Sequence, residues 1–127
     1  MNWFYVFMVG TGGFAGSVAR YLVARSIDLR VASLIPFGTL VVNVLGSFIL
    51  GVVFAVTLKK PEESEAWRLL LGVGFCGGFT TFSTFALENL QLFQQKHFTE
   101  FLIYTTVSLM LCLLGTGLGV WMGNKVW

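Results

Sequence analysis

Four stretches of this chain, residues 3–23, 37–58, 67–93 and 98–123, are poor in charge and long enough to cross a hydrocarbon core, which takes about 20 residues. The chain has room for one domain, and no hydrophilic block stands apart from the four stretches as a soluble unit. The fold class that follows is an all-α membrane protein: a single four-helix transmembrane domain over residues 1–127. The amino terminus lacks a basic region and an obvious small-residue cleavage site, so a cleaved signal peptide is not expected.

The third stretch departs most from a plain lipid anchor. Gly72, Gly74, Gly77 and Gly78 loosen it, and the run Gly77-Gly78-Phe79-Thr80-Thr81-Phe82-Ser83-Thr84-Phe85 adds hydroxyl and aromatic groups without a charge. These glycines predict a helix broken at mid-membrane. Interrupted backbone at that depth is tolerated only where it is buried in protein or lines a cavity. The run therefore points to a conduction or binding site inside the bilayer. Phe82 and Phe85 are three apart and share a face. Their positively polarised ring edges suit an anion, although aromatic packing is the commoner fate of such a pair. Thr80, Thr81, Ser83 and Thr84 can also bond back to their own helix. Glu88, the one carboxylate well inside a span, is a functional candidate or a partner in an interfacial salt bridge.

Other polar residues lie along the remaining spans. Asn43 is deep in the second, with Thr39 one turn before it on the same face. Asn43 fits a helix–helix hydrogen bond or a pore-facing donor equally well. Tyr104, Ser108, Cys112 and Thr116 recur at intervals of four on the fourth span and make one stripe, which suggests a track wetted at least part of the time. Gly115, Gly119 and Gly123 form a second, small-residue face, as do Gly12 and Gly16 on the first span; both suit close helix packing. Arg20 follows on the Gly12/Gly16 face. Its position favours snorkelling to the headgroups over lending positive potential to an anion vestibule. Cys76 and Cys112 read as free thiols. His97 reads as a surface residue, and the charged link 59–65 as solvated.

Both termini and the link between the second and third spans share one side of the membrane. That side carries Lys59, Lys60, Arg68 and Lys125; the other carries Arg20, Arg25, Arg30 and Lys96. An even split gives the positive-inside rule nothing to act on and predicts insertion in both orientations. Trp3, Trp67, Trp121 and Trp127 sit at span ends on the terminus side, as an interfacial belt does.

In order along nearly the whole chain, these features resemble the Fluc/CrcB family of fluoride channels. The carrying residues are Gly12-Gly13, Gly16 and Arg20-Tyr21; then Gly38-Thr39-Leu40, Asn43 and Gly46-Ser47-Phe48; then Gly74 through Phe85, with Glu88. The third group is the most specific. The resemblance implies an antiparallel, dual-topology homodimer that conducts fluoride passively out of the cytoplasm through two narrow pores. It also implies a structural sodium ion at the dimer centre. Phe82 and Phe85 would be the pore phenylalanines and Asn43 the amide donor. Tyr104, Ser108 and Thr116 would belong to the polar track, with Thr39 also along the pore and Arg20 at its vestibule. Backbone carbonyls of Gly77 and Thr80 would hold the sodium. Cys112 departs from the hydroxyl residue expected at its position. The implied partners are fluoride, the lipid bilayer and a second copy of the chain, with no nucleic acid. The implied location is the inner (plasma) membrane.

Two other functions compete. A small proton-coupled multidrug exporter shares four spans and dual topology but needs an embedded carboxylate, typically in the first span, where this chain has none. A non-transporting scaffold subunit explains the glycine faces but gives Asn43 and the hydroxyl stripe no role. No Ser/His/Asp, Cys/His or metal-ligand grouping suggests an enzyme.

Overall fold

The structure is a computed structural model that describes residues 1–126, so the belt position Trp127 lies outside the described residues. The described residues form helices and no strands. Four segments are long and apolar enough to span a membrane: Trp3–Asp28, Phe37–Leu58, Glu65–Gln94 and Phe98–Lys125. The first runs five residues past its expected end at residue 23, to Asp28, so Arg20 lies two turns inside it.

Capping explains several of the boundaries. Asn2 accepts a hydrogen bond from the Phe4 amide at 3.0 Å and opens the first helix. Pro36, with no side-chain acceptor of its own, opens the second. Asp28 supplies the missing acceptor from the end of the first helix, taking the Gly38 amide at 3.1 Å. At the opposite end, the helix ends expected to share a side with the termini meet. Tyr5 donates to Glu65 at 3.1 Å, and Lys59 donates to the Asn124 carbonyl at 3.0 Å.

The glycine faces bring backbones together. A Cβ placed on Gly74 would lie 2.8 Å from the Val9 carbonyl oxygen and 2.9 Å from the Gly12 Cα. Gly12, Gly16 and Gly78 are more crowded still, which locks the first helix to the first half of the third. Gly51, Gly119 and Gly123 do the same between the second and fourth helices.

The third span is broken at mid-length, but not by its glycines. Gly72 and Gly74 lie within a π-helical stretch, Arg68–Cys76, and Gly77 and Gly78 open the short α-helical turn Gly77–Phe79. The interruption falls on two threonines. Thr80 (φ −88°, ψ 157°) and Thr81 (φ −151°, ψ 115°) are extended, and the helix resumes over Phe82–Gln94. β-Branched residues tolerate extended backbone well. Gly74 and Gly78 serve close approach to the first helix instead.

Leu40, Phe85, Leu92 and Tyr104 form the buried cluster that seats the second half of the third helix against its neighbours. Phe14, Phe54, Leu113 and many other large apolar side chains face outward, which suits lipid or a partner subunit and not water.

Candidate functional site

An extended segment between two helices strands backbone groups that a bilayer does not solvate. Asn43 supplies the partners. Its side-chain carbonyl accepts from the Thr81 amide at 2.7 Å, and its amide donates to the Thr81 carbonyl at 3.1 Å. Asn43 is thus a cross-helix hydrogen-bonding residue and lines a cavity at the same time. Thr81 also caps the helix that follows, its hydroxyl accepting from the Thr84 amide at 3.2 Å. Gly46 makes room for the break, because a Cβ there would overlap the Thr80 methyl and sit 3.1 Å from the Phe79 ring.

Two cavities flank this segment, and Thr81 lines both. The smaller, about 250 Å³, is lined by Asn43, Ser47, Phe82, Phe85, Ser108 and Cys112 among others, none of them charged. Phe85 is buried and Phe82 is 75% exposed at its rim. Their ring centroids are 5.5 Å apart with planes tilted by 45°, and Phe85 meets Tyr104 at 5.2 Å. Ser108 is 4% exposed, and its hydroxyl has no hydrogen-bond partner among the described residues. A buried hydroxyl without a partner is costly, so this one keeps hydrogen-bonding capacity that the described residues leave unused.

The larger cavity, about 530 Å³, is lined by two guanidinium groups, Arg20 and Arg25, and two carboxylates, Asp28 and Glu88, with Thr39 and Thr84. Arg20 does not snorkel. Its Nε donates to the Gly78 carbonyl at 2.9 Å, at the end of the half-helix that precedes the break. This is the stabilising end of a helix dipole for a cation. Glu88 makes no salt bridge among the described residues. It accepts from the Thr39 hydroxyl at 2.6 Å and, at a long 3.5 Å, from the Tyr104 hydroxyl.

The stripe on the fourth helix is divided by this geometry. Ser108 and Cys112 line the smaller cavity. Tyr104 is fully buried and turned to Glu88. Thr116 lines neither cavity, and its hydroxyl donates back to the Cys112 carbonyl at 2.9 Å.

Gly77 and Thr80 keep carbonyls that their helix does not use in the ordinary way. The α-helical donor for Gly77 is the Thr81 amide, which bonds Asn43 instead. The donor for Thr80 is the Thr84 amide, which bonds the Thr81 hydroxyl. Hard neutral oxygens released in this way are a chemically suitable donor set for a hard cation. No group of three His, Cys, Asp or Glu side chains that could hold a metal occurs among the described residues.

Several site residues escape the sequence pattern. Ser17, Ser47 and Asp28 line the cavities, and Asn89 ties the third helix to the fourth through a 2.8 Å bond from the Thr105 hydroxyl. Asn89 had a signal, an amide inside an apolar span. Ser17 had none beyond lying next to a packing glycine, and Ser47 none beyond its place in the Gly46-Ser47-Phe48 motif.

The family profile described as "CrcB-like protein, Camphor Resistance (CrcB)" matches residues 7–120. A "Fluoride-specific ion channel FluC" of Leptospira interrogans (serovar copenhageni) is 41% identical over 115 residues, covering 91% of each chain. Proteins of the same name from Phocaeicola vulgatus and Coxiella burnetii (strain Dugway) are also similar. The first is 41% identical over 92% of this chain and 96% of its own. The second is 37% identical over 95% and 98%. On these matches, and with the four-span helical fold they accompany, the chain belongs to the CrcB family.

Proposed function

We propose that this chain is a passive, selective fluoride channel of the plasma membrane that lets fluoride leave the cytoplasm and so protects the cell from its toxicity. In this reading it works as an antiparallel, dual-topology homodimer with two pores. The observation that carries the reading is the smaller cavity. It gathers an amide, two phenylalanine rings and an unpartnered buried hydroxyl, with no charged side chain, in a chain whose relatives bear a fluoride-channel name.

Fluoride is small, hard and tightly hydrated. A pathway must replace the water it sheds with close donors, yet bind weakly enough to release it. Ser108 offers a hydroxyl that nothing else has claimed. The rings of Phe82 and Phe85 offer polarised edges without a full charge that would trap the anion. Asn43 acts first as a positioning residue, since its hydrogen bonds hold the Thr81 peptide between the two cavities. Arg20, lining the larger and more polar cavity, contributes positive potential where an anion arrives.

The dimer is supported by what one chain leaves open. Phe82 is largely exposed, and a Cβ on Gly77 would meet nothing within 4 Å. An isologous contact at this depth would set the Gly77 and Thr80 carbonyls of both subunits around one axis. Sodium bound there would supply positive charge to satisfy those oxygens and join the subunits, as a structural ion and not a transported one.

Growth tests the function. Bacteria deprived of their own fluoride exit route should regain growth in fluoride medium when they express this chain, and should not when they express Phe82→Ile. Equal fluoride sensitivity with and without a correctly inserted chain would overturn the proposal.

A further inference from the structure

The smaller cavity contains one group whose chemistry ion conduction does not need, the thiol of Cys112. The chain has two cysteines, and their settings differ. Cys76 is 1% exposed and packed inside the bundle, whereas Cys112 is partly accessible and lines the cavity. One turn before Cys112 on the same helix, Ser108, 4% exposed and with an unpartnered hydroxyl, lines the same cavity. Asn43, Ser47, Thr80 and Thr81 line it as well. A cavity of about 250 Å³ beside an unsatisfied hydroxyl has room for water. Water gives the thiol what a nucleophile requires, a place for its proton and a route for a reagent.

We infer that Cys112 is a modification site on the wall of this cavity, open to small, uncharged sulfenylating agents, and that its modification closes the path past Ser108. The inference rests on the fluoride-channel reading only for its second half. The reaction is a simple displacement. The Cys112 thiol gives its proton to water, and the thiolate sulfur attacks the methylthio sulfur of methyl methanethiosulfonate. A new S–S bond forms, the S–SO₂ bond breaks, and methanesulfinate leaves with the electron pair. The product adds an apolar methylthio group to the cavity that Ser108 and the phenylalanines line, where a desolvating anion needs donors.

The full-length protein in liposomes, treated with methyl methanethiosulfonate, tests both halves. Mass spectrometry should find one methylthio group per folded chain, on Cys112 and not on Cys76, and none in Cys112→Ser or Cys112→Ala. Fluoride efflux from wild type should fall about tenfold or more after treatment and return with dithiothreitol. Cys112→Ser, or Cys112→Ala if the serine variant misfolds, should keep its own untreated rate. An unmodified Cys112 in the folded protein overturns the site. A modified Cys112 with undiminished efflux overturns its place on the path. Wild type that moves no fluoride before treatment overturns the channel reading instead, and the mass measurement then still decides the site.

Discussion

Replacing Asn43 with leucine removes both hydrogen bonds that close the Thr81 peptide while keeping similar side-chain volume. The Thr81 amide and carbonyl are then left without protein partners in the middle of an apolar span. An unsatisfied buried backbone group costs about 1–3 kcal/mol. Water in the adjoining cavity of about 250 Å³ restores part of this. Side-chain hydrogen bonds inside membrane bundles average only about 0.6 kcal/mol, which also points to the low end. The net loss should therefore be about 1–2 kcal/mol, or a factor of about 5–30 in the local opening equilibrium. Hydrogen exchange at the Thr81 amide, measured in detergent, should accelerate by that factor, with little change at amides in the helix over Phe98–Lys125. Asn43→Asp retains an acceptor for the Thr81 amide but sets a carboxylate against its carbonyl, so it should suppress fluoride flux more than the leucine variant does. Wild-type exchange at Thr81 in Asn43→Leu would refute the reasoning that Asn43 holds the break.

Other perturbations separate packing from function. Gly74→Ala forces a methyl against the Val9 carbonyl and the Gly12 backbone and should destabilise the bundle by about 1–3 kcal/mol in thermal melts. Gly77→Ala meets nothing within 4 Å among the described residues; it should leave the monomer's helicity intact and weaken dimerisation, read by native mass spectrometry. Phe82→Ile and Phe85→Ile keep apolar bulk but lose the ring quadrupole, so each should cut fluoride flux sharply in a folded dimer; wild-type flux in both would remove the rings from the mechanism. Exchanging sodium for a large organic cation should lower the dimer's melting temperature, an effect that added sodium reverses and that is absent from any monomer.

The spans were legible because length and lack of charge suffice to specify them, and the packing glycines because small residues four apart permit close approach. The break was legible in existence but misplaced. In sequence, Gly77 and Gly78 read as loosened helix. What decides the position is lateral: Asn43 and Gly46 on another helix make extended backbone at Thr80 and Thr81 tolerable. Arg20 departs from its expected snorkelling for a similar reason, since only the folded arrangement brings the Gly78 carbonyl within its reach. The fourth-helix stripe showed its spacing but not its partners. Thr116 spends its hydroxyl on its own helix while Ser108 does not, a difference that periodicity does not encode. Glu88 stood out as an embedded carboxylate, yet its partner Thr39 lies 49 positions away in the chain.

The central claim is selective, passive fluoride conduction, and ion efflux from liposomes holding the purified protein tests it most directly. A potassium ionophore sets the voltage, and parallel liposomes are loaded with chloride. The account predicts fast, voltage-driven fluoride efflux with no matching release of chloride. Fluoride retention by liposomes that contain folded protein, or release of both halides alike, would contradict it.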